Sequence, residues 1–186
     1  MVPLYNLFLD VFLTAFLSKY GDTVKNIRRK LKMSKHSEIA ADLFKKGYNC
    51  SQSVFAAFSD ETGIDTGTAL KISSSFGGGM GRMREVCGAV SGMFMVAGAL
   101  YGYIKPGANT EKKEHYKLIQ DMAERFREKN GSIICHELLG LKKEGADSPV
   151  PSLRTKEYYK KRPCVEMVRC AAQIMDDIID EKKSQA

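Results

Sequence analysis

The chain has 186 residues, 44% of them apolar and 27% charged. That is enough for one globular domain with a real core, so no disulfide scaffold is needed to hold it. The formal charge is +7, but residues 1–32 hold six Lys/Arg against two Asp and supply +4 of it. After residue 35 no basic run carries interleaved aromatics, so a nucleic-acid-binding face and a nucleic-acid partner are not expected.

The N-terminal stretch Leu4–Leu17 is apolar but broken by Asn6, Asp10 and Thr14, a polar stripe on a helix. It is too short and too polar to span a membrane. It also lacks a positive n-region and a clear small-residue cleavage site, which makes it a poor signal peptide. Residues 1–32 are expected to be an N-terminal extension, either an amphipathic helix or a misassigned start. Met33 then begins a single helical domain, 33–186. Without a secretory signal the expected compartment is the cytoplasm, where thiols stay reduced.

From Met33 onward helix follows helix. Ile39, Leu43 and Lys46 mark an amphipathic helix closed by Gly47. Asn49-Cys50-Ser51-Gln52 opens the next with the Asn and Gln of a capping box, and Val54, Phe55 and Phe58 are its apolar partners. Val86–Ile104 carries no charge over nineteen residues and is rich in Gly and Ala. It reads as the central buried helix of a compact all-α multi-helix bundle. A membrane-spanning helix is the competing reading, because Gly88-x-x-x-Gly92 and Gly98-x-x-x-Gly102 are spacings that let helices approach closely. Tyr116, Ile119, Ala123 and Phe126 repeat at three and four residues, predicting a helix from about Asn109-Thr110 to Asn130-Gly131. Lys142–Ser152, with Gly145, Pro149 and Pro151, is a loop. The last helix opens at Pro163 and runs to about Lys182 with Val168, Ala171, Met175 and Ile178 on one face.

Five cysteines, at 50, 87, 135, 164 and 170, show no C-x-x-C spacing. On these helix starts Cys50 is the first helical residue after Asn49, and Cys164 follows Pro163, a residue favoured at the first turn. Ser132 caps a short helix in which Cys135 is the third residue. Cys87 lies about one turn beyond Gly81, with Arg82 and Arg84 close by. Helix N-termini and nearby cations favour thiolate, the form required both for redox exchange and for metal ligation. Cys170 is about 240° around the last helix from Cys164 and is expected to stand apart. The bland alternative for any one of the five is a small buried apolar side chain.

These residues resemble the C_GCAxxG_C_C family, described as redox-active. The resemblance covers about Ser37 to Ile179. It rests on Gly47-Tyr48-Asn49-Cys50-Ser51-Gln52, on Phe76-Gly77-Gly78-Gly79-Met80-Gly81-Arg82 leading to Cys87-Gly88-Ala89-Val90-Ser91-Gly92, on Cys135-His136-Glu137-Leu138-Leu139-Gly140, and on Cys164. It implies that Cys50, Cys87, Cys135 and Cys164 are the family's four cysteines in a largely helical redox-active domain. Val86 departs from the pattern, standing where the family name writes Gly, and Cys170 is additional. The resemblance also brings an association with membrane transporters.

Two chemistries fit a shared four-cysteine site. In one, thiol pairs cycle between dithiol and disulfide, acting on a redox partner protein or a small-molecule thiol, as a thiol-dependent oxidoreductase would; four cysteines permit three pairings. In the other, the same Cys50, Cys87, Cys135 and Cys164 bind metal, an iron–sulfur cluster making the protein an electron carrier. Zinc is the weaker metal candidate, since small zinc sites use closely spaced pairs. A structural zinc site or a non-catalytic, transporter-associated interaction module is the alternative from another class, and a homo-oligomer is compatible with either. The run Gly77–Gly81 lacks a preceding strand and a Gly-Lys-Ser/Thr, so it reads as a tight turn beside Cys87 rather than a nucleotide loop. His36 and His115 are expected on the surface, His136 to point away from Cys135, and Asp176, Asp177, Asp180 and Glu181 to be a solvated helix end.

Overall fold

The computed structural model describes residues 33–142 and 147–185; residues 1–32, where the sequence places the extension, and Gly145 of the predicted loop lie outside them. Among the described residues the fold is all-α, with nine α-helices and no strand. Helix α1 is Lys35–Lys45, α2 Cys50–Ala57, α3 Ser59–Thr62 and α4 Thr66–Ser73, followed by a 3-10 turn at Ser74–Phe76. Helix α5 is Gly88–Tyr101, α6 Asn109–Asn130, α7 Cys135–Leu138, α8 Lys156–Lys161 and α9 Cys164–Gln185.

Local chemistry sets most of these boundaries. Ser34 caps α1 by accepting from the Ser37 amide, and Asn49 and Gln52 close a reciprocal capping box at α2. Helix α6 ends where Gly131 adopts φ 86°, a left-handed stop that glycine takes without strain. The long C-terminal α9 packs on α1, α2, α5 and α6, while α2 is held between α1 and α5. Phe44, Phe58, Met93, Phe126, Ile174 and Met175 fill the space between them and are fully buried. Each such side chain contributes roughly 1.5–3 kcal/mol of burial.

The central apolar segment is shorter than its uncharged run. Helix α5 spans fourteen residues, is buried throughout its first half, and turns Gly98 and Ala99 to solvent; Ile104 is 94% exposed. No helix of the described residues is long and apolar enough to cross a membrane. Of the two glycine pairs only the first serves close approach. A Cβ on Gly92 would stand 2.7 Å from the Ser51 carbonyl oxygen, and one on Gly88 would stand 3.1 Å from the Cys50 Cβ. Nothing lies within 4 Å of a Cβ on Gly98. The Gly88/Gly92 pair therefore lets the start of α2 rest against the start of α5.

Three polar residues differ from their expected surface placement. His36 is 6% exposed, stacked on Phe58 at 4.3 Å between centroids, with Nδ1 2.6 Å from Asp176 and Nε2 3.1 Å from Asp60. The reason is register: α1 starts earlier than Ile39, and the buried row is His36, Ala40 and Phe44, four residues apart. Asp176 is correspondingly held inside rather than solvated, its side chain 14% exposed. His115 is partly buried, and its Nδ1 is enclosed without a hydrogen-bond partner among the described residues. In α6 the buried positions are Met122 and Phe126, while Tyr116 stays 54% exposed.

Candidate functional site

Four helix starts meet around one cavity of about 290 Å³, and each carries a cysteine: Cys50, Cys87, Cys135 and Cys164 all line it. Cys50 and Cys164 are the first residues of α2 and α9. Cys87 is the N-cap of α5, not a residue one turn inside a helix, because Val86 before it pairs with Ile134 and the chain turns into the helix only at Gly88. Cys135 is the first rather than the third residue of α7. The Ser132 hydroxyl accepts from the Ile134 amide and so shapes the turn ahead of the helix instead of capping it.

Backbone pairing brings the second two cysteines together. Val86 and Ile134 form an isolated antiparallel bridge; the Cys87 amide donates to the Ile133 carbonyl at 2.8 Å and the Cys135 amide to the Glu85 carbonyl at 2.7 Å. Positions 87 and 135 are thus diagonal neighbours on one face of the bridge. Val86 is the residue that carries this bridge.

Preceding the bridge is a run that L-residues rarely adopt. Gly78, Gly79, Met80, Gly81 and Arg82 have φ of 66°, 71°, 58°, 60° and 69°, and Arg84 has 63°. A left-handed conformation costs a non-glycine residue roughly 1–2 kcal/mol, so Met80, Arg82 and Arg84 are strained. Asp147 clamps the strained arginines: it accepts from Arg84 Nε at 2.7 Å, from Arg84 Nη2, and from Arg82 Nη2 at 3.4 Å. Arg82 also donates from Nε to the Ser148 carbonyl at 2.6 Å. The glycines serve Cys135 more closely than Cys87, the neighbour expected for them. A Cβ on Gly79 would come within 2.6 Å of the Cys135 Cβ.

The electrostatics separate the four thiols. Cys50 and Cys164 share a hydrogen bond, and the Cys164 thiol is lowered to about 7 by it, against the opposing effect of burial, with Arg162, Arg154 and Arg84 adding to the lowering. Its place at the start of a 22-residue helix acts in the same direction. The Cys50 thiol is pushed well above the ordinary range by the same hydrogen bond, by burial and by the charge on Cys164. Cys164 is therefore the more acidic thiol of the two. Burial lifts Cys87 to about 12; the Ala89 and Val90 amides at the helix start only partly offset it. Burial also raises Cys135, opposed by Arg84, whose Nη1 lies 4.0 Å from the sulfur. Cys87 and Cys135 are 5% and 7% exposed, while Cys50 and Cys164 are only partly buried.

Cys170 does not line the cavity. It packs toward α6, where Asn130 Nδ2 donates to its sulfur at 3.2 Å. His136 turns away from the thiols and places Nδ1 3.0 Å from the Arg84 carbonyl oxygen. The sequence reading missed Arg154, Arg162 and Tyr158. Arg154 donates to the Tyr48 carbonyl and lies over Phe44 and Tyr158, and Arg162 lies over Tyr158. For Arg162 the signal was its place two residues before Cys164; for Arg154 nothing in the sequence marks it. As for metal ligation, no three His, Cys, Asp or Glu side chains among the described residues are grouped as ligands.

An all-helical domain with four cysteines drawn from separate helix starts into one arginine-lined cavity defines a helical multi-thiol protein. The chain belongs to the C_GCAxxG_C_C family, whose description reads "Putative redox-active protein (C_GCAxxG_C_C)" and whose model matches residues 48–178. No curated protein and no solved structure matches the chain.

Proposed function

We propose that the protein is a thiol–disulfide oxidoreductase in which Cys164 is the attacking thiolate and Cys50 the resolving thiol, with Cys87 and Cys135 as a second dithiol in the same cavity. The observation that carries this reading is that Cys50 and Cys164, the first residues of α2 and α9, line one cavity, with the Cys164 thiol lowered to about 7 by its interaction with Cys50. The Cys164 thiolate attacks one sulfur of a substrate disulfide. That sulfur–sulfur bond breaks, a mixed disulfide forms on Cys164, and the departing thiolate takes up a proton. Loss of the charge on Cys164 removes two of the three main causes that hold the proton on Cys50. Cys50 then gives up its proton and attacks the Cys164 sulfur, releasing the second thiol. The protein is left with a Cys50–Cys164 disulfide, oxidised by two electrons, and the substrate has gained them. A redox partner protein or a small-molecule thiol returns the pair to the dithiol, and a reducing compartment such as the cytoplasm suits that cycle.

Anaerobically purified protein tests this. A sub-stoichiometric alkylating agent at pH 7 is expected to label Cys164 first, and brief exposure to a disulfide to yield a linked Cys50–Cys164 peptide. Stoichiometric iron or zinc with all four thiols protected would instead favour the iron–sulfur or zinc reading and overturn exchange at this pair.

A further inference from the structure

We infer that the substrate is a small anionic disulfide, carrying a carboxylate or sulfonate beside its sulfur–sulfur bond; the inference rests on exchange at Cys164. Arg82, Arg84, Arg154 and Arg162 all line the thiol cavity, and none of its described lining residues is a carboxylate. Asp147, which clamps Arg82 and Arg84, offsets one of these four charges, and the lining keeps a positive excess. Arg154 and Arg162 are oriented by aromatic faces: Arg154 sits 4.4 Å above the Phe44 ring and 4.7 Å above Tyr158, and Arg162 sits 4.9 Å above Tyr158. Stacking fixes a guanidinium while leaving its in-plane N–H donors to a ligand. Arg154 Nη1 is in fact enclosed with no hydrogen-bond partner among the described residues. An anionic headgroup supplies the acceptor that this nitrogen lacks, since a buried donor left unpaired costs free energy.

Size restricts the class further. At about 290 Å³ the cavity is at the small end of ligand sites. It takes a low-molecular-weight disulfide, or one anionic arm of it, rather than a folded protein's disulfide. Bound with its carboxylate toward Arg154 and Arg162, the ligand offers its sulfur–sulfur bond to Cys164, which is two residues from Arg162. Cys164 then displaces one anionic thiol and Cys50 the other, leaving the ligand reduced to two thiols and the protein oxidised to the Cys50–Cys164 disulfide.

A series matched in length and varied in charge tests this on the full chain: 3,3′-dithiodipropionate, bis(2-hydroxyethyl) disulfide and cystamine. Acid-quenched intact mass reads the loss of two hydrogens, and each rate is divided by that disulfide's rate with free mercaptoethanol. The dianion is expected to oxidise the protein at least tenfold faster than the neutral disulfide, a difference of about 1.4 kcal/mol, and the dication more slowly still. The preference should shrink several-fold in Arg162→Gln and in high salt. The ratio is the useful readout, because Arg162 also tunes the Cys164 thiol, and that effect cancels between ligands. A neutral disulfide as fast as the anionic one, or a ratio unchanged in both Arg162→Gln and Arg154→Gln, overturns the anionic class while leaving exchange intact. Failure of all three disulfides to produce the two-hydrogen loss overturns exchange and this inference together.

Discussion

Cys50 and Cys164 are the first residues of two helices entered by ordinary backbone, whereas Cys87, the N-cap of α5, and Cys135, the first residue of the four-residue α7, are placed by a left-handed run and an isolated bridge. The first wall is assembled from a capping box, a proline and a pair of glycines at an α2–α5 contact. The second depends on five consecutive left-handed residues, one isolated bridge and a carboxylate clamp supplied from more than sixty residues away. The regular wall carries the acidic thiol, and the irregular wall carries the buried ones. Cys164 is lowered by Cys50 and by Arg162, Arg154 and Arg84, whereas burial dominates at Cys87 and Cys135 and pushes their thiols up although the Ala89 and Val90 amides and Arg84 oppose it.

The largest expected effect comes from adding one methyl group to the irregular wall. In Gly79→Ala the new Cβ meets the Cys135 Cβ at 2.6 Å and the Arg84 and Glu85 backbone at 2.9 Å, at a position with φ of 71°. Overpacking and left-handed strain together are expected to cost about 2–4 kcal/mol, read by chemical denaturation. Gly81→Ala separates the two terms. It shares the left-handed φ but has only the Ser75 carbonyl oxygen nearby at 3.8 Å, so about 1 kcal/mol is expected. Equal losses in the two variants would mean that contact with Cys135 contributes nothing and that the walls do not differ as described.

The next effect falls on the regular wall and is a change of reactivity. Cys164 should alkylate with a midpoint at about pH 7, its rate rising with pH as the thiolate forms. Cys50→Ala removes the donor that does most to lower it. The midpoint should move up toward the ordinary thiol range, and the rate at pH 7 should fall by about tenfold, partly offset because a more basic thiolate is a better nucleophile. The same assay on Arg84→Met should move the midpoint less, since Arg84 is the last of the cations acting on Cys164. A midpoint unchanged in Cys50→Ala would remove the pair from the proposed mechanism.

The two walls were also unequally readable from the sequence. Asn49-Cys50-Ser51-Gln52 specifies its own capping box through contacts three residues apart, and Pro163 marks the start of α9, so Cys50 and Cys164 could be placed at helix starts from local chemistry alone. Gly88 and Gly92 announced a close helix approach without naming the partner helix. The Cys87 and Cys135 positions were off by a turn and by two residues respectively. Both depend on the pairing of 84–87 with 133–136, a contact across about fifty residues that no short-range pattern encodes. His36 was missed for a related reason: its burial is decided by Phe58, Asp60 and Asp176, which reach it from two other elements. Arg154 became part of the site only through the fold, which stacks it on Phe44 from more than a hundred residues away.

A smaller effect tests whether the local chemistry of the first wall matters to its geometry. Asn49→Ala deletes the Asn49 side-chain half of the capping box and the bond from Asn49 Nδ2 to the Ser74 carbonyl, 2.9 Å in the native chain. A loss of about 1–2 kcal/mol is expected. Since Gly77 is pressed against Asn49, with a hypothetical Cβ 2.4 Å from Asn49 Cγ, the variant should also loosen the entry to the left-handed run. Slower formation of the Cys50–Cys164 disulfide without any change in the Cys164 alkylation midpoint would show that the cap positions Cys50 rather than tuning its partner.

The smallest effect belongs to Cys170, which serves neither wall. Its sulfur is raised by burial and accepts from Asn130, and none of the four cavity cysteines acts on it. In Cys170→Ser the hydroxyl oxygen can still accept from Asn130 Nδ2, which also holds the Phe126 carbonyl at 2.9 Å. Stability is therefore expected to change by no more than about 0.5 kcal/mol. The denatured thiol count should drop by one while the Cys164 midpoint and the Cys50–Cys164 linkage stay as they are. A shift in that midpoint would mean that α9 transmits the state of Cys170 along its length to Cys164, and the fifth cysteine would then belong to the site after all.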